Sequence, residues 1–241
     1  MISKIKTIFI QIINMNFNYD NRVVLKPWGE EYNIFRNKKK IAITYLKIKK
    51  GFATSLHCHP KKKTGFLILK GTAEVQIGIY KKNIKKYPPM SILVLRPGLF
   101  HRIKASNKSN LYALEIENPY LKNDLIRMKD NYGRNKKGYE SLKNSRALTK
   151  SDLIFKTPKL NEKKKYKINN VKINISFMKD FKTLKSYDDK SISIILDGKI
   201  VSEKKKTVIT TGEIVKSYTL KQLANYFKVD GKILLLRASK I

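Results

Sequence analysis

From Ile41 to Glu117 the apolar residues come in short runs rich in β-branched and aromatic side chains: Ile41-Ala-Ile-Thr-Tyr-Leu-Lys-Ile48, Phe66-Leu-Ile-Leu69, Ala73-Glu-Val-Gln-Ile77, Ser91-Ile-Leu-Val-Leu95 and Leu111-Tyr-Ala-Leu-Glu-Ile116. Gly, Pro, Asn or Lys clusters bound each run, so this half of the chain reads as many short strands with tight connections. Regular spacing and the lack of a long helical period favour an all-β barrel or sandwich over a parallel α/β sheet.

The pattern breaks after Asn118, where the chain turns polar. The stretch Asn123-Asp-Leu-Ile-Arg-Met-Lys-Asp130 is the one place there that suits a helix, with Asn123 as N-cap, Asp124 in the first turn and Gly133 as the stop. Strand-like runs then return at Val171–Phe177, Ser191–Leu196, Lys206–Thr210 and Lys232–Leu236. Thr64-Gly-Phe-Leu-Ile-Leu-Lys-Gly71 and Ser191-Ile-Ser-Ile-Ile-Leu-Asp-Gly198 carry hydroxyl, apolar run, charge and glycine at the same offsets, which suggests an internal duplication. The organisation read from these signals is an N-terminal extension (1–20), a β-domain (21–118), a connector with a short helix (119–160) and a degenerate second β-domain (161–241).

Charge bounds the partners. With 53 Lys and Arg against 18 Asp and Glu, the formal net charge is +35, a field that attracts phosphates. The lysines, however, fall in short runs scattered along the whole chain and punctuate apolar segments, as solvated loop residues do. That argues against a nucleic-acid groove and leaves small anionic substrates compatible. Cys58 is the only cysteine, so no internal disulfide can form and a reducing cytoplasmic address is expected. The stretch Met1–Ile13 has a glutamine in its apolar part and no small-x-small site after it, so it reads neither as a signal peptide nor as a membrane span. Met15 is read as the start.

Only three histidines occur, at 57, 59 and 101. Side chains two apart on a strand share a face, so His57 and His59 point the same way, and the turn Arg96-Pro97-Gly98 feeds His101 into a later strand that a barrel can bring opposite. Three neutral imidazoles would bind a first-row divalent ion and leave positions open.

These residues carry a resemblance to the cupin superfamily. Gly51, His57, His59 and Gly71 match its first motif in register, and Gly98 and His101 match its second. The departures are Thr64, where the family carries a glutamate ligand, and Arg96, where its proline would stand, with Pro97 one place away. Lys26-Pro-Trp-Gly29, Ser55-Leu56 and Asn123–Arg134 narrow the likeness to the cupin domain of type II mannose-6-phosphate isomerases, over roughly residues 22–140.

The resemblance implies a double-stranded β-helix barrel, jelly-roll-like, and with the internal repeat it implies a bicupin. It also implies a divalent metal ion at His57, His59 and His101, with Zn, Fe, Mn and Ni not distinguished, and dimers are common in such folds. Glu115 is the first candidate for the catalytic base and Glu74 the second. Trp28, Lys63 and Thr64 are candidates for substrate binding, and the Lys61–Lys63 run for holding a phosphate. Arg127 and Arg134 are candidates to pair with Asp124 and Asp130.

The function expected is an isomerase-like step on a phosphorylated or nucleotide-activated sugar in polysaccharide metabolism. Two alternatives stay open. One is a sugar-binding or regulatory cupin that has lost catalysis along with the glutamate ligand; the other is a three-histidine iron oxygenase.

Overall fold

The computed structural model describes residues 21–38, 40–121, 123–133 and 141–241. The N-terminal extension, the start at Met15 and Arg134 lie outside them. Twenty strands, numbered in chain order, build four antiparallel sheets.

The first half contributes β1 (Arg22–Lys26), β2 (Gly29–Asn37), β3 (Ile41–Ile48), β4 (Leu56–Cys58), β5 (Lys63–Lys70), β6 (Ala73–Ile77), β7 (Ile84–Tyr87), β8 (Ile92–Leu95), β9 (His101–Ala105), β10 (Leu111–Asn118), β11 (Ile126–Lys129) and β12 (Ser145–Ala147). They form a seven-stranded sheet in the order β12-β1-β2-β3-β10-β5-β8 and a five-stranded sheet in the order β11-β4-β9-β6-β7. Residues that alternate inward, among them Leu46, Ile48, Phe66, Ile68, Val75, Ile103 and Leu111, fill the space between the two sheets as one buried core.

The second half contributes β13 (Lys163–Ile168), β14 (Val171–Met178), β15 (Ile192–Asp197), β16 (Lys199–Val201), β17 (Thr207–Thr210), β18 (Ile214–Lys216), β19 (Lys228–Val229) and β20 (Ile233–Lys240), with a 3-10 turn at Lys182–Ser186 and a short α-helix, α1 (Ser217–Leu223). Its sheets run β13-β14-β20-β15-β18 and β17-β16-β19. Position by position, these orders reproduce β2-β3-β10-β5-β8 and β7-β6-β9 of the first half, so the internal repeat is a repeat of topology. Gly71 and Gly198 mark it most sharply. Both adopt positive φ (+78° and +90°), and a Cβ at either would lie 2.4 Å from Asn110 O or 2.5 Å from Lys232 O, the carbonyl just before the returning strand. The second half has no counterpart of β4 and β11 among the described residues.

The two large sheets pack back to back. Ile43, Leu67, Leu69, Leu114 and Ile116 of the first meet Ile173, Ile175, Ile194, Leu234 and Leu236 of the second in one cluster of buried side chains. Strands covered on both faces must be apolar at odd and even positions alike, which is why Phe66–Leu69, Ile192–Leu196 and Ile233–Leu236 read as continuous apolar runs rather than alternations.

One expectation is overturned. Ile126–Lys129 is not helical but is the strand β11, pairing Ile126 with Cys58 and Arg127 with His57. The open edge of β4 accepts a hydrogen-bonded partner, and that long-range pairing outweighs the local helix signals around Asn123. The rest of the connector folds back over the first half: β12 pairs with β1, and Arg146 clasps Asp152 through two bonds of 2.6 and 2.8 Å. No helix among the described residues is long and apolar enough to cross a membrane.

Candidate metal centre

Strand pairing brings the three histidines together. His57 on β4 and His101 on β9 are direct cross-strand partners, so the strand of His101 lies beside that of His57 rather than opposite it. His59 follows as the chain leaves β4, and its carbonyl accepts the N–H of Gly98, 2.8 Å away, from the turn that precedes β9. Ring centroids are 4.6 Å apart for His57 and His101, 5.0 Å for His57 and His59, and 5.4 Å for His59 and His101. One ligand atom from each ring can be chosen so that all lie within 4.8 Å of one another.

The hydrogen bonds determine which atoms those are. Nδ1–H of His57 donates to Ser55 O at 2.9 Å, that of His59 to Asp124 O at 2.6 Å, and that of His101 to Leu99 O at 3.0 Å. A ring that donates from Nδ1 while neutral carries its lone pair on Nε2. Nε2 of His59 and of His101 is buried with no hydrogen-bond partner. Burial holds all three imidazoles below the ordinary histidine range, His59 down to about 3, with repulsion from neighbouring cations or rings adding to the effect. Three neutral rings with Nε2 lone pairs brought together, two of them otherwise unsatisfied, fit a divalent ion.

Asp124 anchors the rim. Its backbone carbonyl orients His59, and its carboxylate accepts the N–H groups of Lys61 (3.0 Å) and Lys62 (2.9 Å). The residue expected in the first turn of a helix is instead the clamp between the connector and the histidine loop. Arg127, which lines the same cavity, places its Nε 3.3 Å from Ser55 Oγ.

The histidines open into a cavity of about 160 Å³, also lined by Trp28, Thr44, Phe66, Glu115, Glu117 and Arg127. Trp28 is 3% exposed and packs in the barrel core as well as on the cavity wall. Glu115 is pushed up to about 8, first by burial and then by repulsion from Glu117. Glu117 is likewise raised by burial, while the Lys62 ammonium, ion-paired with it, pulls the other way. Burial disfavours the charge on Lys62, yet the Glu117 carboxylate holds it above the usual lysine range.

The remaining expected positions divide. Thr64 is buried at 1% exposure beside Glu117 in the β5–β10 register, its hydroxyl without a partner, but it does not line the cavity. Lys63 lies on the other face of β5 and pairs with Glu213 of the second half at 2.5 Å, so it stands away from the site. Of the Lys61–Lys63 run, the ammonium groups of Lys62 and Lys63 pair with Glu117 and Glu213, while Lys61 binds Asp124 through its backbone N–H and its side chain is exposed. Glu74 points out of the barrel and pairs with Lys104 at 3.2 Å. Lys62, Glu117 and the Lys26–Glu31 pair (3.1 Å) were not anticipated. Strand parity was the available signal, since Glu117 shares a face with Glu115, and Lys62 with Thr64.

Residues 14–130 match the family model described as mannose-6-phosphate isomerase C-terminal. That match covers just under half of the chain and agrees with the cupin resemblance of the first barrel. This barrel resembles the type II mannose-6-phosphate isomerase domain, as the motifs implied, and the two sheet pairs fit a bicupin fold.

The chain is 29% identical over 120 residues to the xanthan biosynthesis protein XanB of Xanthomonas campestris pv. campestris, a match that covers 47% of this chain and 24% of that one. It thus spans about a quarter of that relative's length. Among solved structures it is similar to the capsular polysaccharide assembling protein CapF of Staphylococcus aureus (14% identity, TM-score 0.40, 48% of this chain and 34% of that one). It is also similar to a cupin-2 domain, Rru_A2000, of Rhodospirillum rubrum (17% identity, TM-score 0.37, 42% and 66%).

Proposed function

We propose that the first barrel is a divalent-metal-dependent isomerase-like site for a phosphorylated or nucleotide-activated sugar, serving polysaccharide biosynthesis. The observation that carries this reading is the pairing of two features in one cavity: three neutral imidazoles with Nε2 lone pairs directed together, and a carboxyl group, Glu115, raised to about 8. The match to the mannose-6-phosphate isomerase C-terminal family and the likeness to XanB support the substrate class.

An aldose–ketose interconversion moves a carbon-bound proton from C2 to C1 and a hydroxyl proton from O2 to O1, so it needs a base that can take a proton and return it near neutral pH. Glu115 fits that role because its buried carboxyl holds a proton at neutrality and yields it only slightly above. His57, His59 and His101 would hold the ion, which when bound supplies a Lewis acid for the sugar carbonyl. Lys62 keeps Glu117 paired, which limits the negative charge facing Glu115. Trp28 presents an aromatic wall on which a sugar ring can stack.

The test is an isomerase assay on mannose 6-phosphate with metal-loaded protein, wild type beside Glu115→Gln. Turnover lost in Glu115→Gln with metal content unchanged supports the reading; no turnover by the loaded wild type removes it. Thr64, in place of the glutamate ligand, favours the second reading, a cupin that binds the sugar without converting it. Sugar-phosphate binding that persists in chelator, with no turnover, would select that one.

A further inference from the structure

The second barrel has its own polar interior, and it is electrically opposite to the first. In the first half Glu115 of β10 lies between Thr44 of β3 and Phe66 of β5. In the repeat, Arg237 of β20 lies between Asn174 of β14 and Ser193 of β15. The guanidinium therefore occupies the place of the carboxylate, on the face that carries Ile233 and Leu235 into the second core. The row continues outward, because Asn174 is the cross-strand partner of Lys165 on β13.

Most polar groups here satisfy one another. Ser191 Oγ donates to Asp188 O at 2.6 Å, and Ser217 Oγ lies 2.7 Å from Ser191 Oγ and 3.1 Å from Ser193 Oγ. Asn174 and Arg237 do not share in this. Asn174 is 2% exposed, and both its amide nitrogen and its carbonyl oxygen are buried without a partner. Arg237 Nε is also buried and unpartnered, while the guanidinium stacks 3.9 Å from the centre of the Tyr187 ring. A buried amide and a buried guanidinium Nε side by side without hydrogen-bond partners are costly unless a ligand satisfies them.

We propose that Arg237 and Asn174 form an oxyanion-binding site in the second barrel, with Lys165 beside it, that takes a phosphate group, either free inorganic phosphate or the phosphate of a sugar phosphate. Arg237 presents a planar fork of donors held flat by Tyr187, and the Asn174 amide adds a neutral donor for the anion and an acceptor for a hydroxyl next to it. The surroundings are cationic: the Lys163 ammonium is held below its usual range first by burial and then by repulsion from Arg237, Lys165 and Lys172. The site is independent of the histidine centre.

Calorimetric titration of the full chain at constant ionic strength tests this, with inorganic phosphate and mannose 6-phosphate as separate probes. The variants are Arg237→Gln, Asn174→Asp and His101→Ala. Asn174→Asp is informative because it gives Arg237 a carboxylate inside the protein and so should fold at least as well as the wild type, yet it places a negative charge against the incoming anion. We expect inorganic phosphate or mannose 6-phosphate to show a binding component weakened roughly tenfold or more in Asn174→Asp and in Arg237→Gln; His101→Ala removes only the contribution of the first barrel to mannose 6-phosphate binding and leaves that component in place. Equal binding of both probes assigns the site to free phosphate; binding of mannose 6-phosphate alone assigns it to a sugar phosphate. Binding by neither probe, or equal binding in wild type and folded Asn174→Asp, overturns the proposal. Binding lost only in His101→Ala also overturns it, while leaving the reading of the first barrel intact.

Discussion

His57 and His101 sit directly across from each other on antiparallel strands, ring centroids 4.6 Å apart. Both rings are oriented by backbone carbonyls two residues earlier in their own loops, Ser55 for one and Leu99 for the other. Their geometry is thus set by local chain path and strand register together. His59 depends on a segment 65 residues away, through Asp124.

That dependence gives a first prediction. Asp124→Ala keeps the carbonyl that binds His59 but removes the carboxylate that ties down the amides of Lys61 and Lys62. The clamp should loosen, and divalent-ion affinity should fall by roughly 10–100-fold without loss of fold. A competition titration with a chromogenic chelator, alongside circular dichroism, measures both.

Glu115 gives a signed pH dependence. The folded protein holds its proton up to about pH 8, against 4.5 in the unfolded chain. Its contribution to stability is therefore full below pH 4.5 and is lost as pH rises toward 8. Thermal midpoints should decline over that window in wild type and decline less in Glu115→Gln. If Glu115 is the base, kcat/KM should rise with pH through about 8, the opposite direction, because the base must be ionised.

The paired glycines should behave alike. Gly71→Ala and Gly198→Ala each force a Cβ to within 2.4 or 2.5 Å of a backbone carbonyl at positive φ. Each should cost about 1–3 kcal/mol of strain, measured by urea denaturation. Gly98, also at positive φ but with open space around its Cβ position, should cost less when replaced by Ala.

The back-to-back packing predicts coupled unfolding. Leu114 and Leu236 are fully buried in the shared cluster from opposite halves. Replacement of either by Ala should cost about 2–5 kcal/mol and lower a single transition. Two resolved transitions, only one of which moves, would show that the halves unfold separately.

The apolar runs were legible because each follows from at least one face of its strand being packed in a core, and β3, β5, β6 and β10 fall where the runs lie. Strands β7, β11, β13 and β19 were not legible. They are polar, and their pairing partners, not their own residues, make them strands. The histidines stood out by rarity and spacing, and Glu115 by its strand. Lys62 and Lys63 looked identical in a lysine run, and only the alternation of β5 sends one toward Glu117 and the other to Glu213. Asn174 and Arg237 carried no sequence signal, because it takes the register of three strands to align them.

Metal analysis by inductively coupled plasma spectrometry, on the full chain purified without chelator beside His101→Ala, addresses the central claim most directly. The account predicts about one divalent first-row ion per chain in wild type and near-background metal in a folded His101→Ala. A wild type that takes up no such ion when it is supplied, or a variant that retains as much as the wild type, would contradict it.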